Sequence, residues 1–253
     1  MTTNKKLDLK NKYNIWFDSP YYHILYENRD YKEAEKFIKT IVKYIELEKN
    51  STILDAACGK GRHSIEMEKL GFKVLGIDLS KNSIKEAKKY ENKNLKFLIH
   101  DISVPIKREF DAVFNLFTSF GYHNKKKDLI ILKSIEKNLK NKGIGVIDFF
   151  NVNKVKNELV KSEIIVKKNI KFTIKRKINK GYVRKNIKFS NKSREYNFTE
   201  NVNTLSLKDF KHYFNKTNLK IKEVFGSYSL DKFDPKYSPR LIIIFQKKSQ
   251  PNK

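Results

Sequence analysis

Over residues 52–150 short apolar runs alternate with stretches in which apolar residues recur every three or four positions. "TILDAA", "KVLGIDLS", "LKFLIHDI", "FDAVFNLFTSF" and "IGVIDFFNV" read as strands, the fourth running on into a loop. Between them "GRHSIEMEKLG", ended by Gly71, "KNSIKEAKKYENKN" and "DLIILKSIEKNLKNKG" read as helices. Strands separated by helices of this length build βαβ units and a parallel sheet covered on both faces. Right-handed crossovers then give a doubly wound α/β fold, with ligands at the carboxyl ends of the strands.

Beyond residue 152 the period shortens. "IKFTIKRKI" alternates by twos and "NKG" supplies a turn, so this stretch reads as a small antiparallel sheet inserted into the α/β domain. "TLSLKDFKHYFNKTN" reads as a helix that opens with Ser206 and, three residues on, Asp209, as a capping box does. "LKIKEVFGSYS" and "PRLIIIFQKK" read as two closing strands. Ahead of the first strand lie the aromatic run "WFDSPYYHILYENRD" and an amphipathic helix expected over about 31–47.

Composition narrows the class. At 253 residues the chain can bury a full core, and 18 Phe and 13 Tyr argue against disorder. No stretch approaches the roughly 18 apolar residues of a membrane span. The start, "MTTNKKLDLKNKYN", has no apolar core and does not read as a signal peptide. A single cysteine, Cys58, excludes an internal disulfide and a Cys-rich metal site. The expectation is a cytoplasmic protein, a monomer or homodimer, with no membrane partner and no metal. The net charge of +27 invites a nucleic-acid reading, yet only seven of the 55 basic residues are Arg. Arg, not Lys, makes bidentate phosphate and guanine contacts. With so much Ile and Asn, the lysines read as the solvated surface of an AT-biased coding sequence.

Chemistry concentrates at "LDAACGKGRHS", residues 54–64. Gly59 and Gly61 lie between a strand and a helix, where helix N–H groups face a ligand. A dinucleotide fingerprint would carry a third glycine, but Ser64 stands there. Asp55, at the tip of the strand, would repel a pyrophosphate and suits an amino group or sulfonium. Asp78, 17 residues after Gly61, has close to the spacing of an acid that binds ribose hydroxyls. Asp101 ends the third strand, where its carboxylate can accept from an adenine amino group and the Ile102 N–H can donate to a ring nitrogen.

These residues resemble the class I S-adenosylmethionine-dependent methyltransferases. "LDAACGKG" resembles that family's first motif, "GIDLS" its ribose-binding acid, "HDI" its adenine-binding acid, and "FDAVFNLFTSFGY" the loop after its fourth strand. The hairpin insertion resembles a branch that includes sugar and amino-acid N-methyltransferases. The resemblance implies a doubly wound Rossmann-like sheet with an antiparallel closing hairpin and a small inserted antiparallel β subdomain. It divides the chain into a helical and aromatic cap (1–45), a cofactor-binding core (46–151), the β subdomain (152–204), and the last helix with the closing strands (205–253). It implies S-adenosyl-L-methionine as cofactor and S-adenosyl-L-homocysteine as product. Asp55, Ala57, Gly59, Gly61, Arg62, Asp78, Leu79, Asp101 and Ile102 are the expected cofactor contacts. Asn115 would meet the methionine part and Phe117 the adenine or methyl side.

The acceptor is less constrained. Tyr122 or His123 would face it, with His123 either a general base or an exposed loop histidine. His63 is expected to shape the pocket. Trp16 and Phe17 read as a staple against the core, or the aromatic run as a lid in which Tyr21 or Tyr22 closes over the cofactor. "NLFT" replaces the Asn/Asp-Pro-Pro-Tyr-like loop of exocyclic base methylation. One Cys cannot ligate a radical cluster. A small-molecule acceptor, modified at N or O, is therefore favoured over RNA; a third reading is a cofactor-binding subunit without transfer activity.

Overall fold

A computed structural model describes residues 12–27 and 31–249. They fall into two compact units, residues 12–27 with 159–201, and residues 31–158 with 202–249. The first eleven residues, most of the N-terminal stretch that does not read as a signal peptide, lie outside the described residues. Among the described residues no helix is long and apolar enough to cross a membrane.

The smaller unit holds α1 (Lys12–Phe17), α2 (Pro20–Leu25) and strands β6 (Ser162–Lys167), β7 (Ile170–Asn179), β8 (Tyr182–Asn191) and β9 (Arg194–Asn203), whose last two residues belong to the larger unit. The strands form a four-stranded sheet in the order β6-β7-β8-β9. Each neighbouring pair is joined by two residues with positive φ: Lys168 and Asn169, Lys180 and Gly181, Lys192 and Ser193. That is the hairpin turn whose twist matches the strands. Alternation places Phe172, Ile174, Ile187 and Phe189 on the inner face, packed with Trp16 and Leu25. Trp16 is fully buried, and its Nε1–H donates to Glu200 Oε1 at 2.7 Å, as the Tyr26 hydroxyl does at 2.9 Å.

The larger unit is built on a seven-stranded sheet. Its strands are β1 (Thr52–Ala56), β2 (Lys73–Asp78), β3 (Leu95–Ile99), β4 (Phe110–Asn115), β5 (Leu139–Phe150), β10 (Leu219–Phe225) and β11 (Arg240–Lys247). The order is β10-β11-β5-β4-β1-β2-β3, with β11 antiparallel to both of its neighbours and the remaining pairs parallel. Helices α3 (Tyr31–Tyr44), α4 (Arg62–Lys69) and α5 (Lys81–Ala87) pack on one face, α6 (Lys125–Asn138) and α8 (Leu207–Phe214) on the other; α7 (Val152–Asn157) follows β5. Side chains alternate between the two cores: Leu241, Ile243 and Phe245 enter one, Ile242 and Ile244 the other. A strand buried on both faces needs apolar residues at every position, which is why these segments read as unbroken apolar runs. Each such side chain contributes about 1.5–3 kcal/mol on burial. The capping box expected at α8 forms, with Ser206 and Asp209 satisfying each other's N–H groups.

Two helix ends differ most: the helix expected over 81–94 stops at Ala87 and gives way to a short 3-10 turn, Lys88–Tyr90. The helix expected to reach Gly143 begins earlier, at Lys125 capped by Asn124, and stops at Asn138. The buried Asn138 amide donates to the carbonyls of Ile106 (2.9 Å) and Arg108 (2.8 Å). Lys142 then takes φ +60°, and the pairing of β4 with β5 shifts between Phe110 and Ala112. The residues "LKNKG" are spent on that irregular strand entry.

Candidate active site

The parallel order β4-β1-β2-β3 brings four connections to one edge of the sheet. The first leaves β1 through Ala57 (φ +69°), Gly59 (φ +57°) and Gly61 (φ +80°). A Cβ on Gly59 would meet nothing within 4 Å among the described residues, so this side of the turn is open to them. A Cβ on Gly61 would lie 2.6 Å from the Phe97 ring. Gly61 is the N-cap of α4 and offers no side chain to the first helical N–H groups. Part of that work falls to Asp55, which accepts the Ser64 hydroxyl at 2.6 Å and the Ser64 N–H. Asp55 is thus turned inward, 1% exposed, and burial raises its carboxyl to about 6. His63 and Cys58 are also buried here.

Asp78 ties this turn to the end of β2. Its Oδ2 accepts the Gly59 N–H at 2.9 Å and its Oδ1 the Ser80 N–H at 2.8 Å. Leu79 beside it is exposed. Beyond β3, Asp101 accepts the Ser103 N–H at 2.8 Å, with Lys127 Nζ 3.6 Å from its other oxygen. Burial opposes the Asp101 charge, but Ser103 and Lys127 together hold its carboxyl below the ordinary value. Ile102 is half-buried against the core.

The loop after β4 completes the edge. Asn115 is fully buried; its amide donates to the Ala56 carbonyl at 2.8 Å, while its Oδ1 has no hydrogen-bond partner among the described residues. Phe117 lies over the Arg62 guanidinium, 4.4 Å from ring centre to carbon. Under it the buried Asp148 accepts the Phe117 N–H at 2.8 Å. Farther along, Tyr122 and His123 are half-buried. Asn203 anchors their turn: its main-chain N–H donates to the Gly121 carbonyl at 2.7 Å, and its amide to the His123 carbonyl at 2.5 Å and Asp128 Oδ2 at 2.8 Å.

Asp128 is fully buried, and burial raises its carboxyl to about 7 despite the bonds from Asn203 and the His123 N–H. The folded chain therefore binds this proton more tightly than the unfolded chain does, whose value is near 4. Between those values stability falls as pH rises. Asp55 adds the same sign up to about 6. His123 opposes it, because burial and then Lys127 lower its value and favour the neutral ring in the fold. Asp128→Asn isolates one contribution. Its stability relative to wild type, from urea unfolding, should be more favourable at pH 8 than at pH 5; a difference independent of pH would reject the assignment.

With this geometry in view, the relationships are informative. The sequence profile of a methyltransferase-domain family matches residues 47–218, more than half of the chain. The chain belongs to the class I S-adenosylmethionine-dependent methyltransferases. It is 31% identical over 147 residues to the glycine/sarcosine N-methyltransferase of Aphanothece halophytica, a match covering 53% of this chain and 52% of that protein. The chain spans about half or less of the length of the curated relatives it matches. Among solved structures, an S-adenosylmethionine-dependent methyltransferase from Clostridium acetobutylicum has a TM-score of 0.76 at 20% identity, covering 96% of this chain and all (100%) of that one. The sugar N-methyltransferase KedS8 from a Streptoalloteichus species has a TM-score of 0.72 at 15% identity, covering 99% and 98%. At these identities the likeness shows the fold, including its mixed seven-stranded sheet. At this edge an open glycine turn, an acid at the end of β2 and a buried Asn115 oxygen without a partner among the described residues are compatible with such a cofactor.

Not every expected residue belongs to this edge of the larger unit. Tyr22 lies in the smaller unit, where its ring contacts Trp16, Phe17 and Tyr26. Conversely, Asp148, Arg240, Tyr228, Asp128 and Asn203 support the post-β4 loop, and the sequence motifs do not single them out. A signal exists for two of them. An acid inside "IGVIDFFNV" and an arginine heading "RLIIIF" are charges on buried strands, and buried charges require partners.

Proposed function

We propose that this chain transfers a methyl group from S-adenosylmethionine to a nitrogen or oxygen atom of a small molecule. The observation that carries the reading is the convergence of the glycine turn, Asp78, Asp101 and the Phe117–His123 loop at one edge of parallel strands. In this reading Gly59, Gly61 and Ala57 leave room for the cofactor, and Asp78, beside Leu79, holds its ribose. Asp101 and the Ile102 N–H hold the adenine, while Asp55, Arg62, Asn115 and Phe117 shape the methionine end. The bound cofactor supplies a methyl group already activated on a sulfonium. What remains for the chain is to align the acceptor, exclude water and, for a protonated acceptor, remove a proton. His123 suits the proton removal. With its value lowered by burial and Lys127, its ring is neutral near pH 7 and can accept a proton, with Tyr122 beside it. The likeness to a sugar N-methyltransferase and to a glycine/sarcosine N-methyltransferase supports a small acceptor.

The test is to incubate the protein and labelled S-adenosylmethionine with a cell extract, then separate RNA, protein and small molecules. Label among the small molecules is expected. Label in RNA would instead make the net charge of +27 a binding feature and affinity steeply salt-dependent. Binding without label in any fraction would indicate a non-catalytic subunit. With the acceptor identified, His123→Ala should lower kcat about 100-fold and remove the rise of rate with pH, as loss of a general base does. An unchanged kcat would leave alignment alone as the source of rate.

A further inference from the structure

The loop after β4 is held in a conformation its residues disfavour. Phe117 (φ +56°) and Thr118 (φ +59°) are consecutive non-glycine residues in the left-handed region, where a Cβ crowds the backbone and a β-branched residue is especially uncomfortable. A set of buried bonds holds them there. Asp148, 1% exposed near the end of β5, accepts the Phe117 N–H at Oδ2 (2.8 Å), and its main-chain carbonyl accepts the Thr118 N–H (2.9 Å). Arg240, at the start of β11, donates from Nε to Asp148 Oδ1 (2.8 Å) and from Nη2 to Thr118 Oγ1 (3.0 Å), and its Nη2 is ion-paired with the same Asp148 oxygen at 2.7 Å. The Tyr228 hydroxyl donates to Asp148 Oδ2 at 3.1 Å. Burial alone would disfavour the Arg240 charge, and Asp148 more than restores it. Burial, then the same carboxylate, raises the Tyr228 phenol well above its ordinary value, so it remains a donor.

This arrangement does more than a buried ion pair needs. A pair serving the core alone has no reason to spend one carboxylate oxygen and one guanidinium N–H on two left-handed loop residues. Its outcome is a fixed Phe117 ring over Arg62, the first residue of α4 beyond the glycine turn.

We infer that Asp148 is a positioning residue for cofactor binding: with Arg240 and Tyr228 it sets Phe117 against Arg62 at the head of α4. The inference rests on reading that edge as the S-adenosylmethionine site. Without the carboxylate, the loop is free to relax towards right-handed backbone and to carry the ring away.

The experiment is calorimetric titration with S-adenosylhomocysteine, whose readout needs no acceptor, at a temperature where circular dichroism shows each variant folded. Asp148→Asn should weaken binding about tenfold, the loss expected of a charge-assisted hydrogen bond, and Thr118→Val or Tyr228→Phe about threefold each. A purely structural role would lower the melting temperature and leave the affinity of the folded protein unchanged. The decisive comparison is a cycle with Phe117→Ala. If Asp148 acts through Phe117, the double variant binds about as weakly as the weaker single variant. Additive losses, or unchanged affinity in folded Asp148→Asn, overturn the inference. Should Asp148→Asn not fold, Thr118→Val takes its place in the cycle: non-additive losses uphold the inference and additive ones overturn it. Wild-type protein that fails to bind S-adenosylhomocysteine overturns the proposed function and this inference together.

Discussion

Gly61→Ala is expected to cost this protein several kcal/mol and the proposed cofactor site together. The added Cβ would stand 2.6 Å from two atoms of the Phe97 ring. Phe97 is fully buried, and the same ring lies 2.6 Å from where a Cβ on Gly76 would be, so it is confined from both sides. Forcing a methyl group into such a place costs about 1–3 kcal/mol. Holding a non-glycine residue at φ +80° adds roughly 1–2 kcal/mol. Gly59→Ala is the control. It faces open space at φ +57°, so it carries the backbone cost without the clash and should fold. Its methyl group would nevertheless point to the open side of the turn, where the proposed reading puts the ligand. Urea unfolding and S-adenosylhomocysteine titration of the two variants separate the effects. Gly61→Ala should fail in both, Gly59→Ala mainly in the second. Wild-type stability in Gly61→Ala would show that the packing of Phe97 on the turn matters little.

That contrast also shows which parts of this molecule are legible in its sequence. The glycine turn, the cap of α8 and the hairpin turn at Lys180–Gly181 are settled within a few residues, by φ requirements and local hydrogen bonds. The βαβ core is legible because strands buried on both faces must be apolar throughout. The support of the post-β4 loop is not. Asp148 meets Arg240 from 92 positions away and Asn203 meets Asp128 from 75, and no local pattern records such pairings. Asp55 shows a subtler gap. Its place at the strand tip is readable, but its side chain points inward to Ser64 instead of onto the open side of the turn. The run "LKNKG" reads as helix on composition, since nothing near it shows that the side chain of Asn138, the last helical residue, holds two distant carbonyls.

Asp78 carries the other large expectation, because in the proposed reading one carboxylate serves both the turn and the ligand. Its two oxygens accept the N–H groups of Gly59 and Ser80, and a carboxylate oxygen can accept more than one hydrogen bond, so the same group can serve a ribose hydroxyl in the proposed reading. Asp78→Ala removes both functions. Two charge-assisted bonds to a ligand correspond to about 3 kcal/mol or more, so S-adenosylhomocysteine should bind at least about 100-fold more weakly. Loss of the bond to Gly59 would also loosen the turn and weaken the response to Gly59→Ala. Asp78→Asn distinguishes the two contributions. Its amide oxygen can still accept one of the two N–H groups, so the fold should suffer less than in Asp78→Ala. Its NH2 group, however, cannot accept from a hydroxyl, so affinity should remain well below wild type. If Asp78→Asn binds as wild type does while Asp78→Ala does not, the acid serves the turn alone, and the ribose must be held elsewhere. If both lose affinity while Asp78→Asn keeps its stability, the carboxylate is the ribose ligand that its place at the end of β2 suggests.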